Sequence, residues 1–184
     1  GDNLVVAGVG ADTVTTLGGA DIVLGDNGAA VFAGGVRVSV TTTAPTDGGK
    51  DTLLLGDGDN LAIGGTEADA ITTGNGADVI LGDFGAVTYD AVGLLKQILS
   101  TETGLGGDDT IEAGAGDNLV VGGFGGDTIT TGIGADVILG DSGEVLFAGG
   151  RLARRAAWMP GSAAATRSRP GRAPTSSSAA WMPT

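Results

Sequence analysis

Eleven Asp or Asn residues stand in register at nine-residue spacing: Asn3, Asp12 and Asp21, then Asp51, Asn60, Asp69 and Asp78, then Asp109, Asn118, Asp127 and Asp136. Most have a glycine two residues earlier, as in "AGVGADTVT" (7–15), "GGFGGDTIT" (122–130) and "TGIGADVIL" (131–139). Glycine permits positive φ and close backbone approach, so Gly-x-Asp closes a tight turn that aims several carbonyls one way. The carboxylate adds charge, and hard oxygen ligands of this kind suit Ca²⁺. The plainer alternative is a metal-free chain whose Asx side chains only close Asx-turns. Eleven Asx in one phase, mostly backed by glycine, exceed what turns alone require. Much other chemistry is closed off. Without Cys or His there is no disulfide, no thiolate, no Ser-His-Asp triad and none of the usual zinc hydrolase sites.

The elements that position these residues follow from the same repeat. "TTLGGADIVLGD" (15–26), "TTGNGADVILGD" (72–83) and "TTGIGADVILGD" (130–141) show a longer period, with Asn3, Asn60 and Asn118 standing 57 and 58 residues apart. Three residues after each Asx form a short strand whose middle side chain points inward: Val14, Val23, Ile71, Ile80, Ile129 and Ile138. Two nonads make one coil, so turns 18 residues apart stack. A cation between stacked turns is then shared by Asn3/Asp21, Asp51/Asp69, Asn60/Asp78, Asp109/Asp127 and Asn118/Asp136.

The pattern resembles the RTX (repeats-in-toxin, hemolysin-type) nonapeptide family, whose GGxGxDxUx unit this chain follows over most of 1–148. The resemblance implies an all-β fold, a right-handed parallel β-roll with several Ca²⁺ ions in both rows of turns. It also implies a module of a larger secreted or cell-surface bacterial protein, disordered without calcium and folding outside the cell as a structural, secretion-linked scaffold. There are departures. Asn replaces Asp in one central nonad per block, and Glu67 replaces a turn glycine. A fifth nonad in each block has Ala30, Val87 or Val145 at the ligand position, and Asp26, Asp83 or Asp141 where a glycine belongs. These mark the expected end of each calcium ladder, with the three aspartates as caps or edge-ion ligands.

Alternate nonads fall on opposite sheets. On one, the outward positions are mostly polar: Thr13/Thr15, Thr110/Glu112 and Thr128/Thr130. On the other they are aliphatic: Leu4/Val6, Ile22/Leu24, Leu61/Ile63, Val79/Leu81, Leu119/Val121 and Val137/Leu139. A continuous apolar stripe marks a covered surface or an interface. The expected organisation is a first block over 1–33, an inserted strand segment over 34–45, a second block over 46–90, an inserted short helix over 91–103, a third block over 104–148, and a tail over 149–184. The insertions are expected to fold back onto the apolar sheet, with self-association through that sheet as the alternative.

All 22 acidic residues precede position 151, against Arg37, Lys50 and Lys96. That body repels nucleic acid and anionic membranes and attracts cations, and no apolar run is long enough for membrane insertion. The chain starts at Gly1 without a visible signal peptide, which reads as processed, tagged or cut from something longer. From Arg151 the composition turns to Arg, Ala, Ser and Pro, with "AAWMP" at 156–160. Writing 156–184 in GC-rich codons chosen for the purpose and shifting one base gives "GADVIL" in nonad phase, so the tail reads as frameshifted or non-native, with a basic linker as the plainer reading. A Ca²⁺-dependent hydrolase of small esters or lactones is the second functional reading, with Ca²⁺ as Lewis acid and Glu67, Glu112 or Asp141 as base. Ser142 has no His to activate it. An adhesin or assembly module acting through the apolar sheet is the third.

Overall fold

The computed structural model describes residues 1–158 and the pair 169–170, and among these every regular element is a β-strand. They form three six-stranded sheets. One is built from the apolar triplets: Leu4–Val6, Ile22–Leu24, Leu61–Ile63, Val79–Leu81, Leu119–Gly123 and Val137–Asp141. A second carries the threonines: Thr13–Thr15, Thr52–Leu54, Ala70–Thr72, Thr110–Ala113, Thr128–Thr131 and Arg169–Pro170. Both are parallel throughout. Their facing sides supply one residue per strand to a shared core of Val23, Leu53, Ala62, Ile71, Ile80, Ile111, Val120 and Ile129, with Val14 and Ile138 packed against it. The expected inward positions and the β-roll are therefore present.

The third sheet is an antiparallel meander of three hairpins: Gly28–Ala33 with Val36–Thr42, Gly85–Tyr89 with Leu95–Ser100, and Gly143–Ala148 with Arg151–Ala157. It covers the apolar sheet. Val40, Val87, Ile98 and Val145 are fully buried against Ile22, Leu24, Leu61, Ile63, Leu81, Leu119, Val121 and Leu139. The insertions thus fold back onto the apolar sheet, as expected, over the face that the alternative of self-association required. Only the first strand stays bare, with Leu4 51% exposed.

Two expectations change. The helix over 91–103 is instead a turn and the strand Leu95–Ser100. Its apolar cluster is too short to hold an isolated helix. As a strand it satisfies its backbone between Gly85–Tyr89 and Gly143–Ala148. Asp90 Oδ1 closes the turn by accepting the Val92 and Leu94 N–H groups at 3.0 and 2.9 Å. The fifth nonads, in turn, are the first strands of the hairpins, and Val87 and Val145 are buried roof residues rather than failed ligand positions. The insertions are thus whole hairpins, and the parallel ladders run on beneath them: Ile22 pairs with Leu61, Val79 with Leu119, Thr13 with Thr52 and Ala70 with Thr110.

In the last hairpin, Arg155 stands opposite Val145, a slot that Val40 and Ile98 fill in the other two. Trp158 remains exposed, and the rest of the tail apart from 169–170, Trp181 included, lies outside the described residues.

Candidate metal centre

The turns stack into two rows. Leading into the threonine sheet are the turns of Asp12, Asp69 and Asp127, which come from the apolar sheet, and those of Asp51 and Asp109, which come from the hairpins. The opposite row holds Asn3, Asp21, Asn60, Asp78, Asn118 and Asp136. In both rows the Oδ1 of each Asx accepts the backbone N–H of the Asx one turn earlier. In the first row Asp12 donates to Asp51 at 2.7 Å, Asp51 to Asp69 at 2.7 Å, Asp69 to Asp109 at 2.8 Å and Asp109 to Asp127 at 3.0 Å. In the second the chain of bonds runs Asn3, Asp21, Asn60, Asp78, Asn118, Asp136 at 2.8 to 3.1 Å. The rungs therefore do not end at the block boundaries. Asp12/Asp51, Asp21/Asn60, Asp69/Asp109 and Asp78/Asn118 join the five pairs expected from the 18-residue spacing.

The second carboxylate oxygen decides the chemistry. The Oδ2 atoms of Asp12, Asp21, Asp51, Asp69, Asp78, Asp109, Asp127 and Asp136 are buried without a hydrogen-bond partner. A buried charge without a partner costs several kcal/mol or more, and native interiors rarely tolerate one. Eight of them in register call for positive charge. Among the described residues no three acidic side chains gather at one point. Each position would hold an ion with one or two carboxylates and complete the shell from backbone carbonyls and water, a donor set that fits Ca²⁺. Bound there, Ca²⁺ supplies the charge that neutralises the row.

Burial pushes four of these carboxyls up: Asp69 to about 9, Asp109 to about 8, and Asp51 and Asp127 to about 6, with neighbouring carboxylates adding to the shift; at Asp21 hydrogen bonds from Asn3 outweigh burial and lower it. The unfolded value is about 3.9. A folded pKa above the unfolded one means the metal-free fold binds more protons, so its stability falls as pH rises. The metal-free chain should be most stable at or below about pH 4, losing stability through about 6 and again through 8 to 9. Urea unfolding of dialysed protein across pH 4 to 9 checks this, and saturating calcium should largely flatten the dependence above pH 6.

Glycine makes the stacking feasible. At Gly116 (φ +140) an added Cβ would stand 1.9 Å from the Gly76 carbonyl oxygen. Glu67 occupies the same kind of position with φ 65, which costs a non-glycine residue about 1 to 2 kcal/mol. Glu67→Gly should therefore stabilise the calcium-loaded chain by about 1 kcal/mol, after the entropy of the added glycine is subtracted. Thermal unfolding in saturating calcium should show a rise of about 2–4 °C.

Asp26 and Asp83 tie the hairpins to the roll. Asp26 accepts the N–H of Gly49 at 3.1 Å and of Thr66 at 2.5 Å, and Asp83 accepts those of Gly107, at 2.9 Å, and Phe124. Both are buried, and each clamps the return loop of a hairpin to a turn about 40 residues on. Asp141 stands at the corresponding place after Val137–Leu139 and is half-buried. Of the hydrolase candidates, Glu67 and Glu112 are exposed on separate elements, while Ser142 is buried and its carbonyl accepts the Trp158 N–H.

A set of residues missed in the sequence reinforces the turns from outside. Exposed Asp2, Asp59, Asp108 and Asp117 each accept, through Oδ1, a backbone N–H 18 residues on, at Ala20, Ala77, Gly126 and Ala135. Asp57 does the same for Asn75. The signal was legible: an acid directly before the ligand Asx, with Ala or Gly at that place one coil later.

The RTX calcium-binding nonapeptide repeat profile matches in four copies, over residues 1–31, 54–89, 103–129 and 116–144. The chain belongs to this family of calcium-binding β-roll proteins, and Ca²⁺ is its ligand. No curated protein and no solved structure matches the chain.

Proposed function

We propose that this chain is a calcium-folded scaffold module of a larger secreted or cell-surface protein, held by Ca²⁺ ions along its turn rows. The observation that carries this reading is the row of eight buried carboxylate oxygens without partners. Without cations they oppose one another, and a chain with 37 glycines gives up much backbone entropy on folding. Binding free energy becomes folding free energy. The ligands are the eight aspartates of the two rows, while Asp26 and Asp83 act as structural clamps.

An exterior compartment fits the affinity range of such modules. Extracellular calcium modules bind with Kd of roughly 10⁻⁴–10⁻³ M, so the chain would stay unfolded in a calcium-poor cytosol and fold outside. Limited proteolysis at sub-micromolar and at millimolar free calcium tests this. Rapid degradation at the first and protection of the roll at the second are expected. Equal protection at both would remove the folding switch.

A further inference from the structure

In the row Asn3, Asp21, Asn60, Asp78, Asn118, Asp136, asparagine and aspartate alternate at every turn. The two side chains are isosteres, and the structure shows what the amide does with the difference. Asn60 Nδ2 donates to the carbonyl oxygens of Gly56 and Gly58, both at 2.9 Å. Asn118 Nδ2 donates to those of Gly114 and Gly116, at 2.9 and 3.1 Å. Asn3 Nδ2 donates to Gly1 O at 2.6 Å and to Asp21 Oδ1 at 2.7 Å. The Oδ1 atoms of Asn60 and Asn118 meanwhile accept the N–H of the preceding Asx, as an aspartate's does. In the aspartate turns the atom corresponding to Nδ2 is an acceptor, and all eight such Oδ2 atoms are buried without a partner. An amide with two donors satisfies the turn carbonyls, whereas a carboxylate cannot.

We infer that Asn60 and Asn118 are built-in substitutes for a cation, and that their turns fold without binding Ca²⁺ through the Asx side chain. The inference rests on the calcium reading above and divides its sites into two patterns. The all-aspartate row takes an ion at each turn. The mixed row takes one only at its aspartates, at every second rung. With rungs about 4.8 Å apart, cations in the mixed row stand about 9.6 Å apart, which halves their bare Coulomb repulsion relative to adjacent rungs. This departs from the expectation that Asn60/Asp78 and Asn118/Asp136 each share a cation through both side chains. Their fixed dipoles hold the roll together at rungs where no ion is needed.

The test counts calcium bound to the full chain, by equilibrium dialysis with metal analysis, alongside the calcium midpoint of folding by circular dichroism. Asn60→Asp should add one bound calcium and raise the calcium concentration needed to fold. Asn118→Asp should do the same independently. Asp78→Asn should lose one calcium while still folding, at a lower calcium midpoint than the wild type. Asn60→Ala separates ligand from spacer: the inferred result is an unchanged calcium count with a lower melting temperature. A loss of calcium in Asn60→Ala, or an unchanged count in both Asn→Asp variants, would overturn the inference while leaving the calcium-folded roll intact. A wild-type chain that binds no calcium would instead remove the reading on which it rests.

Discussion

In saturating calcium, Ile98→Asp is expected to strip the antiparallel roof from the roll. Ile98 is fully buried in the middle strand of the meander, between Val87 and Val145, and packs on the apolar face of the parallel sheet. Truncating such a side chain costs about 2–5 kcal/mol, and a carboxylate there adds a desolvation cost of several kcal/mol that no partner offsets. Because the parallel ladders continue beneath the hairpins, the effect should be local first. Hydrogen exchange should accelerate in 85–100 and 143–157, while amides of the threonine sheet stay protected. Thr128→Asp, on the exposed face of that sheet, should shift stability by no more than about 0.5 kcal/mol. Uniform loss of protection in Ile98→Asp would mean roof and roll fold as one unit.

The second large effect lies in the turns. Gly116→Ala places a methyl 1.9 Å from the Gly76 carbonyl oxygen at a backbone φ of +140. The obstacle is backbone, so a turn must shift rather than a side chain swing. Left-handed strain of about 1–2 kcal/mol and overpacking of about 1–3 kcal/mol together predict a loss of about 2–5 kcal/mol, read by urea unfolding in excess calcium. The displaced turn also carries Gly114 and Gly116, whose carbonyls hold the Asn118 amide. Gly34→Ala, in an open hairpin turn where a Cβ meets nothing within 4 Å, supplies the comparison: it should cost only the left-handed strain. Equal losses in both variants would show that stack contact contributes nothing beyond φ.

What the sequence showed and what it hid divide along physical lines. The roll was legible because its two periods are strict. Nine-residue spacing fixed the Asx phase, and one inward aliphatic per triplet fixed the core, as Ile71, Ile80 and Ile129 confirm. The aliphatic pairs flanking Val23, Ile80 and Val120 pointed to a covered face, and the roof lies there. The identity of the roof was harder. In "LLKQILS" the apolar residues suit a helical stripe as well as a strand, and only the free edges of the neighbouring hairpins decide for the strand. The same tertiary pairing made Val87 and Val145 look like broken repeats, since they follow a nonad at nonad spacing while belonging to a different sheet. For Asp26 and Asp83, expected as caps or edge-ion ligands, the two backbone N–H groups that each accepts come from loops over 20 residues on, a tertiary contact that composition does not carry.

Whether cations between the turns hold this chain folded is read by far-UV circular dichroism of the full chain at neutral pH. Calcium is first removed with EDTA and then titrated back, with magnesium as the control. A disordered spectrum in EDTA is expected, with a cooperative rise to β structure on adding calcium and little or none with magnesium, which gives up its water reluctantly. A β spectrum that persists in EDTA, in protein shown by metal analysis to hold no calcium, would contradict a fold held by cations.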